Sequence, residues 1–158
     1  MSVQVRLARS DDADLIHRIT QAAFAEYRGA LPVEPGALTE TVADVAAALR
    51  QGGAVLATID GEHAGAARFV REDEDLYVGR VAVLPSHRRQ GVASAMMGYL
   101  EQLAPSLGCA AVRIGVRESL PSNVALYQTL GYEVVKIEPH PRGPDRSFTM
   151  RKLVAAHA

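Results

Sequence analysis

VAVLPSHRRQGVASAMM, residues 81–97, has the pattern of a strand, a glycine turn and the first turns of a helix. The apolar run 81–84 is rich in β-branched residues and is typical of the end of a buried strand. Pro85 ends that strand because proline has no N–H to donate to a neighbour. The polar turn that follows leads to Gly91, and an apolar helix is predicted to begin near Val92.

The turn between this strand and helix combines glycine flexibility with positive charge. Gly91 accepts backbone angles that other residues avoid, and it lets a ligand approach the main chain. A helix N-terminus leaves several N–H groups unpaired and pointing the same way. Together with Arg88 and Arg89, these groups suit the oxygens of a phosphate. From the residues alone, an ordinary strand–turn–helix connection with two solvated arginines explains the pattern equally well.

Composition and charge are those of an ordinary globular chain. The 158 residues are enough for one domain, 1–158, with a real core. The hydrophobic content of 48% and the net charge of -1 give no footprint for nucleic acid or an anionic membrane. The single cysteine, Cys109, excludes an intramolecular disulfide and cysteine-based metal spacing. Without a signal-peptide pattern or a membrane-length apolar run, we expect a cytoplasmic protein that binds no metal, nucleic acid or membrane.

Hydrophobic periodicity predicts a mixed sheet with helices on its faces, in the order β-α-α-β-β-β-α-β-α-β-β. Ser10 is the predicted N-cap of the first helix, which runs to about Tyr27, and Thr39 is the predicted cap of the second. The predicted strands are 3–7, 54–59, 64–70, 76–84, 110–116, 132–137 and 147–153, and the two later helices are 92–107 and 121–130.

A second group of polar residues follows the strand 110–116. The segment RESLPSNVALYQTLGY, residues 117–132, predicts a polar turn, a short helix and the glycine that ends it. Asn123 and Tyr127 are four residues apart, so they share one face of this helix. Both can point into a cleft, although a half-buried tyrosine that bonds at the rim of a core would look the same.

These two segments resemble the hallmark motifs of the GCN5-related N-acetyltransferase (GNAT) superfamily. RRQGVA, residues 88–93, fits the signature Gln/Arg-x-x-Gly-x-Gly/Ala with alanine in the last place. The later segment is similar to the second hallmark of the family, through Asn123, Ala125, Leu126, Tyr127, Leu130, Gly131 and Tyr132. The predicted order of elements also resembles this family over nearly the whole chain. The resemblance implies a single acetyltransferase domain with a mostly antiparallel sheet of about seven strands and about four helices.

The resemblance implies acetyl-coenzyme A as the donor and an amine of a small molecule, peptide or protein as the acceptor. In the family the fourth strand splays from the fifth, and the pantetheine arm lies in the gap. Strand residues would pair with the arm, and the turn and helix start would hold the pyrophosphate. The residues expected to bind the donor are Val81, Ala82, Val83, Arg88, Arg89, Gln90, Gly91, Val92, Ala93, Asn123 and Tyr127.

The same resemblance makes Tyr127 the candidate general acid, with the Val83 N–H as a donor to the carbonyl oxygen. The general base stays open, because the fourth strand carries no acid inside it. Glu26, Asp75 and Glu118 are alternatives to a water relay. A non-catalytic acyl-coenzyme A sensor of the same fold is the rival function.

The acceptor side is defined only by position in the chain. By analogy with the family, the segment with Phe24, Tyr27, Arg28 and the loop 32–35 would wall the acceptor cleft, although Phe24 also suits a core position. Other candidates are the arginines Arg80 and Arg117, as anion ligands or surface charges, and His140 in the loop before the last strand. A homodimer through the C-terminal strands is an expectation from family analogy alone.

Overall fold

A computed structural model describes residues 2–154 and shows one seven-stranded sheet with four helices, which confirms the expected fold. None of the helices within this range is long and apolar enough to cross a membrane. The strands are β1 (Val3–Leu7), β2 (Gly53–Ile59), β3 (Glu62–Glu72), β4 (Asp75–Val83), β5 (Ala111–Arg117), β6 (Glu133–Pro139) and β7 (Arg146–Leu153). The helices are α1 (Ala13–Phe24), α2 (Val42–Gln51), α3 (Val92–Ser106) and α4 (Pro121–Thr129).

The sheet has the order β1-β2-β3-β4-β5-β7-β6, and β4–β5 is its parallel pair. That pair is short: Asp75 to Val78 lie opposite Ala111 to Ile114, and the pairing stops there. Beyond this point β4 continues beside β3, and β5 continues beside β7. The two central strands therefore separate towards their C-terminal ends and leave a gap in the middle of the sheet.

A β-bulge in β4 accompanies the separation. Ala66 lies opposite Ala82 and Arg68 lies opposite Gly79, so one residue of β3 faces two of β4. Arg80, in the bulge, has a φ of 50°, a left-handed conformation that is uncommon for a residue with a side chain. A bulge bends its strand and increases the local twist. The bend falls just after the last pair of β4 with β5.

Both faces of the sheet are covered, because alternate residues of the strands point to opposite sides. Val55 in β2 belongs to a core with Met96 and Leu100 of α3, and this core also includes Tyr127 of α4. Its neighbour in the strand, Leu56, belongs to a second core beneath α1 and α2. The gap between β4 and β5 is thus flanked by α1 on one face and by α3 and α4 on the other.

The first helix differs from its prediction at both ends. Ser10 does not cap it: Ser10 lies in a short 3-10 turn, and α1 begins at Ala13. The carboxylate of Asp12 accepts the Arg9 N–H at 2.7 Å, which closes the start of the 3-10 turn and not of α1. The helix also ends before Tyr27, which lies in a second 3-10 turn. This turn places the Tyr27 side chain over the gap.

The cap of α2 is Thr41 and not Thr39. The Thr41 hydroxyl accepts the Asp44 N–H at 3.2 Å, and the Asp44 carboxylate accepts the Thr41 N–H at 2.9 Å. This reciprocal pair is a capping box, which satisfies two N–H groups at the helix start. Thr39 instead ends a 3-10 turn that begins at Gly36.

Asp75 fastens the three strands at the closed end of the gap. Its side chain is buried at the start of β4, and it accepts bonds from Arg151 Nε and Nη2 at 2.8 and 3.0 Å. Arg113 Nη1 of β5 lies 3.8 Å away. The hydrogen bonds from Arg151 are the main reason that the pKa of Asp75 is lowered.

We expect Asp75→Asn to lower the free energy of unfolding by about 1–3 kcal/mol at neutral pH, because it leaves partly buried guanidinium groups without their carboxylate. Urea unfolding measures this change. The lowered pKa means that the stabilisation is present above the unfolded pKa of ~3.9 and is lost as the pH falls through the folded value.

Asp14→Asn is the matched control, because Asp14 pairs with Arg18 at 4.0 Å on the exposed face of α1. It should change stability by no more than about 0.5 kcal/mol. Equal unfolding curves for the two variants would contradict a structural role for Asp75.

Candidate active site

The gap between β4 and β5 opens into three connected cavities that we call the inner, central and outer clefts. The inner cleft has a volume of about 520 Å³, within the usual range for small-molecule sites. It lies between the end of β4, the start of α3 and one face of α4. Its lining includes, among the residues expected to bind the donor, Val81, Ala82, Val83, Arg88, Arg89, Gly91, Val92, Ala93, Asn123 and Tyr127.

The central cleft joins the inner and the outer cleft. It shares Val81, Asn123 and Tyr127 with the inner cleft, together with Tyr27. It shares Arg80 of β4 and Gly115, Val116 and Arg117 of β5 with the outer cleft. The three cavities therefore form one path that runs from the start of α3, past Tyr127, to the loop between β6 and β7.

Main-chain groups of β4 face the inner cleft. The Leu84 N–H donates to the Ala64 oxygen of the neighbouring β3 at 2.9 Å. Because the main-chain groups of successive strand residues point to opposite sides, the Val83 N–H and C=O point away from β3. The pairing of β4 with β5 has already ended at Val78, so the Val83 N–H faces the gap.

The start of α3 directs a second set of N–H groups into the inner cleft. Its first helical hydrogen bond runs from the Ala95 N–H to the Gly91 oxygen at 3.0 Å, so the N–H groups of 92–94 precede the helical ladder. Gly91 has a φ of 79°, and Arg89 has a φ of 61°. A Cβ at Gly91 would have no atom within 4 Å, so the turn borders open space. The helix dipole and these N–H groups favour an anion there.

The guanidinium of Arg88 is bound within the protein. It donates to Glu26 Oε2 at 2.6 Å, to the Ala23 oxygen at 3.1 Å and to the Val83 oxygen at 3.4 Å. These bonds hold the end of α1 against the end of β4. The Gln90 side chain is exposed and does not line the inner cleft. Of the residues expected to bind the acetyl donor, Gln90 is thus the one that lies outside the inner cleft.

Two phenols and one amide meet where the inner and central clefts join. Tyr127 of α4 is 5% exposed and packs edge-on against the Tyr132 ring at 6.0 Å. Burial raises the pKa of Tyr127, and it also raises the pKa of Tyr27. Asn123 lies one turn before Tyr127 and lines the same two cavities. Sequence reasoning placed Tyr27 only on the acceptor wall, since nothing local linked it to Tyr127.

The candidate bases are held in ion pairs. Glu26 lines the inner cleft but accepts the bond from Arg88. Glu118 lies at the surface, where both carboxylate oxygens accept from Arg146 Nε at 3.0 Å, and this pair lowers its pKa. Asp75 lies at the start of β4, at the opposite end of the strand from the inner cleft. Neither Asp75 nor Glu118 lines any of the three clefts.

The acceptor-side residues fall into two groups. Phe24, Tyr27 and Pro35 line the central cleft, whereas Arg28 does not. The loop before β7 brings His140 to the outer cleft, next to Arg80 and Arg117. The Arg117 guanidinium donates to the Val33 oxygen and, at 3.3 Å, to the Glu34 oxygen, so it ties two loops together. Burial lowers the pKa of Arg117.

The remaining candidates for metal or thiol chemistry lie apart from the clefts. Within residues 2–154, no three His, Cys, Asp or Glu side chains are grouped so that they could hold a metal ion. Cys109 is buried just before the start of β5. Burial raises the pKa of the Cys109 thiol, which disfavours its nucleophilic thiolate form.

Curated proteins match this chain over part of its length. It is 33% identical over 101 residues to the N-terminal acetyltransferase B complex catalytic subunit naa20 of Schizosaccharomyces pombe, which covers 60% of this chain and 56% of that protein. It is 35% identical over 85 residues to the chloroplastic GCN5-related N-acetyltransferase 4 of Arabidopsis thaliana, which covers 49% of this chain and 29% of that protein. The chain thus spans little more than half of the first relative and less than a third of the second.

Solved structures match over nearly the whole chain. The ribosomal-protein-S18-alanine N-acetyltransferase of Escherichia coli has a TM-score of 0.78 at 20% identity and covers 99% of this chain and 97% of its own. The structure of yncA from Salmonella typhimurium, with its cofactor acetyl-CoA, has a TM-score of 0.77 at 18% identity over 100% of this chain and 97% of its own. These likenesses establish a common fold.

The family-wide profile described as the acetyltransferase (GNAT) family matches residues 16–132. This match spans the glycine turn and the segment with Asn123 and Tyr127, which line the same cleft. It also covers more than half of the 158 residues. The chain therefore belongs to the acetyltransferase (GNAT) family.

Proposed function

We propose that this protein transfers an acetyl group from acetyl-CoA to a primary amine of a small molecule, peptide or protein, with Tyr127 as the general acid. One observation carries the proposal: main-chain donors at the start of α3, the Val83 N–H and the buried Tyr127 phenol border a single cleft. Membership of the acetyltransferase (GNAT) family supports acetyl-CoA as the donor.

The inner cleft fits the donor in its polar groups and in its space. The main-chain groups of Val81 and Val83 would pair with the pantetheine arm, because this edge of β4 has left its partner strand. The N–H groups of 89–93 would hold the pyrophosphate, beside the open space at Gly91. Arg88 would act through its bonds to Glu26 and Val83 and not as a phosphate ligand. When bound, acetyl-CoA supplies an acyl group activated as a thioester.

Tyr127 has the protonation state that a general acid needs. Its raised pKa keeps the phenol protonated throughout the neutral range. The proton can pass to the leaving sulfur, whose pKa resembles that of cysteine at ~8.5. General acid catalysis of this kind is typically worth about 10²–10⁴ in rate. The Val83 N–H, which faces the gap, would stabilise negative charge on the carbonyl oxygen.

The acceptor amine must lose a proton before it attacks. An alkyl ammonium with a pKa of ~10.4 costs roughly 4–5 kcal/mol to deprotonate at pH 7. The residues that line the central cleft include no Asp, Glu or His. We therefore assign this step to a water relay past Tyr27 and Asn123, both of which line the cleft and carry polar groups.

The same lack of an acid in the central cleft favours a second candidate function, a non-catalytic acyl-CoA sensor. Such a protein would bind acetyl-CoA in the inner cleft without turnover. The buried Tyr127 phenol argues for the enzyme, because a binding module gains nothing from a proton donor at this junction.

The wider setting of the protein is also a proposal. We propose a cytoplasmic protein, and the net charge of -1 favours partners other than nucleic acid or an anionic membrane. A homodimer through the C-terminal strands is supported by β6, an edge strand on which Val135 and Ile137 are exposed. Exposed apolar residues on an edge strand are a common basis for pairing between chains.

Calorimetric titration with acetyl-CoA, paired with thiol release over a panel of primary amines, tests the proposed function. We expect binding, and thiol release that depends on the amine. Binding without release from any amine would favour the sensor. A folded protein that shows no binding would contradict both candidates.

We expect Tyr127→Phe to lower turnover at least tenfold while acetyl-CoA affinity stays nearly unchanged. The ring remains, and only the hydroxyl group that carries the proton is lost. Steady-state kinetics and calorimetry measure the two quantities. Tyr99→Phe is the matched control, since Tyr99 lies on α3 and outside the three clefts. Turnover that is equal in Tyr127→Phe and wild type would remove Tyr127 from the acid role.

We expect Gly91→Glu to abolish acetyl-CoA binding, because it adds bulk and negative charge beside the N–H groups that face the pyrophosphate. Gly98→Glu adds the same side chain to the same helix, at a site with open space around its Cβ, and should bind normally. Gly91→Ala measures the cost of the positive φ alone. Undiminished affinity in a folded Gly91→Glu protein would place the pyrophosphate elsewhere.

A further inference from the structure

The outer cleft is rich in positive charge. It has a volume of about 740 Å³ and begins where the central cleft ends. Its lining carries five cationic and two acidic side chains: Arg80, Arg113, Arg117, Lys136 and Arg142 against Glu72 and Glu138. A concave surface of one sign concentrates ligands of the opposite charge.

Three of these cations each pair with a carboxylate that forms no other ion pair in the described structure. Arg113 pairs with Glu72 at 2.8 Å, and Lys136 pairs with Glu138 at 3.4 Å. Arg117 lies 4.0 Å from the buried Asp145, and its other bonds go to main-chain oxygens. The excess charge of the outer cleft therefore resides on the two remaining arginines, Arg80 and Arg142.

Arg80 is held in place but weakly neutralised. Its Nε lies 3.5 Å from Glu40, a buried carboxylate that also accepts from Arg68 Nη1 at 3.0 Å. One carboxylate is thus shared between two guanidinium groups. No bond in the described structure uses the terminal nitrogens of Arg80, which lines both the central and the outer cleft. The bulge and Glu40 together fix the direction of this side chain.

Arg142 reaches the same place from the loop between β6 and β7. Its Nη2 donates to the Glu34 main-chain oxygen at 3.1 Å. Within residues 2–154, no carboxylate forms an ion pair with it. The nearby charges of Arg142 and Arg117 add to burial in lowering the pKa of His140, as expected where positive charge is in excess.

The two arginines converge at Gly36. A Cβ placed on Gly36 would lie 3.1 Å from Arg80 Nη2 and 3.9 Å from Arg142 Nη2. The φ of Gly36 is not positive, so its backbone does not require glycine. The bare main chain of Gly36 instead lets both guanidinium ends approach it closely at the wall of the outer cleft. An anionic oxygen in the cleft beside these two ends would accept from both.

We propose that the outer cleft, beside the ends of Arg80 and Arg142, binds an anionic group of the acceptor, so that the substrate is an amine that also carries a carboxylate or a similar anion. This inference rests on the proposed function, because it takes the central cleft as the place of transfer. The anion would lie at the outer end of that cleft, away from the α3 turn assigned to the pyrophosphate. Arg80 and Arg142 would set specificity and would not take part in the chemistry.

The test compares carboxylated amines with matched amines that lack the carboxylate. We call the second group neutral because it carries no anionic group. One series uses ω-amino carboxylates of increasing length against the corresponding alkylamines. A second uses peptides that differ only by Glu or Gln as the second residue, which separates a peptide source of the anion from a small molecule. We expect one series to show about 10–100-fold higher kcat/KM for the anionic member, mainly through KM, with a smaller ratio at high salt.

Variants connect this preference to the site. Arg80→Gln, Arg142→Gln and the double variant should raise KM for the anionic acceptor and should not raise KM for the neutral one. Gly36→Ala keeps both charges but brings a Cβ to 3.1 Å from Arg80 Nη2, so the end of Arg80 must shift and the preference should also fall. Arg18→Gln removes the same charge from the exposed face of α1, and this variant should retain the preference for the anionic acceptor. If Arg80→Gln does not fold, Arg142→Gln alone tests the site, because Arg142 lies on a surface loop.

The outcomes separate this inference from the proposed function. Equal kcat/KM for anionic and neutral amines, or a preference that survives in the double variant, would overturn the inference and leave the acetyltransferase intact. If no amine releases thiol, the proposed function fails, and calorimetric binding of the carboxylated amines alone judges the site. Binding that weakens at least about tenfold in the double variant would then support the anion site. Equal or undetectable binding would overturn it.

Discussion

The early end of the pairing between β4 and β5 is the constraint on which the site depends. A parallel pair of full length would consume the main-chain groups of both strands and close the sheet. Here the bulge at Arg80 turns β4 away after Val78, while β5 stays with β7. Buried N–H and C=O groups need partners, so an open edge inside a sheet is costly unless a ligand pairs with it. A ligand that pairs with these main-chain groups would therefore offset the energetic cost of the gap.

The two ends of the gap have opposite characters. At the closed end, Asp75 fastens β4 to the arginines of β5 and β7. At the open end, Arg88 bonds to Glu26 and to the Val83 oxygen, which holds α1 against β4. Ion pairs thus fix both ends of a strand whose middle has left its neighbour. The width of the cleft is set by these contacts and not by any local preference of β4.

Local sequence patterns were sufficient for the elements and for the two motifs. The run 81–97 encodes its own strand, turn and helix, because proline and glycine mark each boundary. The four-residue spacing placed Asn123 and Tyr127 on one face, and both line the inner cleft. Helix ends were less predictable: a 3-10 turn displaced the cap of α2 to Thr41, since several polar residues competed for that role.

Contacts between distant parts of the chain could not be predicted from such patterns. The bond between Arg88 and Glu26 joins residues 62 positions apart, and it commits the Arg88 guanidinium to a contact that no local pattern indicates. The same holds for Arg80, whose positive φ arises from the register of β3 and β4. Gly36 carried no signal at all, because its importance lies in two arginines brought to it by other elements.

The charge of the central cleft bears on the missing base. Its lining carries Arg80 and Arg117 and no carboxylate. An ammonium ion in such surroundings has a lowered pKa, because a nearby positive charge disfavours the protonated form. Each pKa unit lowers the cost of deprotonation by about 1.4 kcal/mol, but the proton still leaves by the water relay, because neither arginine can accept it. The positive charge of the arginines also repels a simple cationic amine. An acceptor that carries its own anion is attracted through that anion, while its ammonium group, at the opposite end of the molecule, loses its proton.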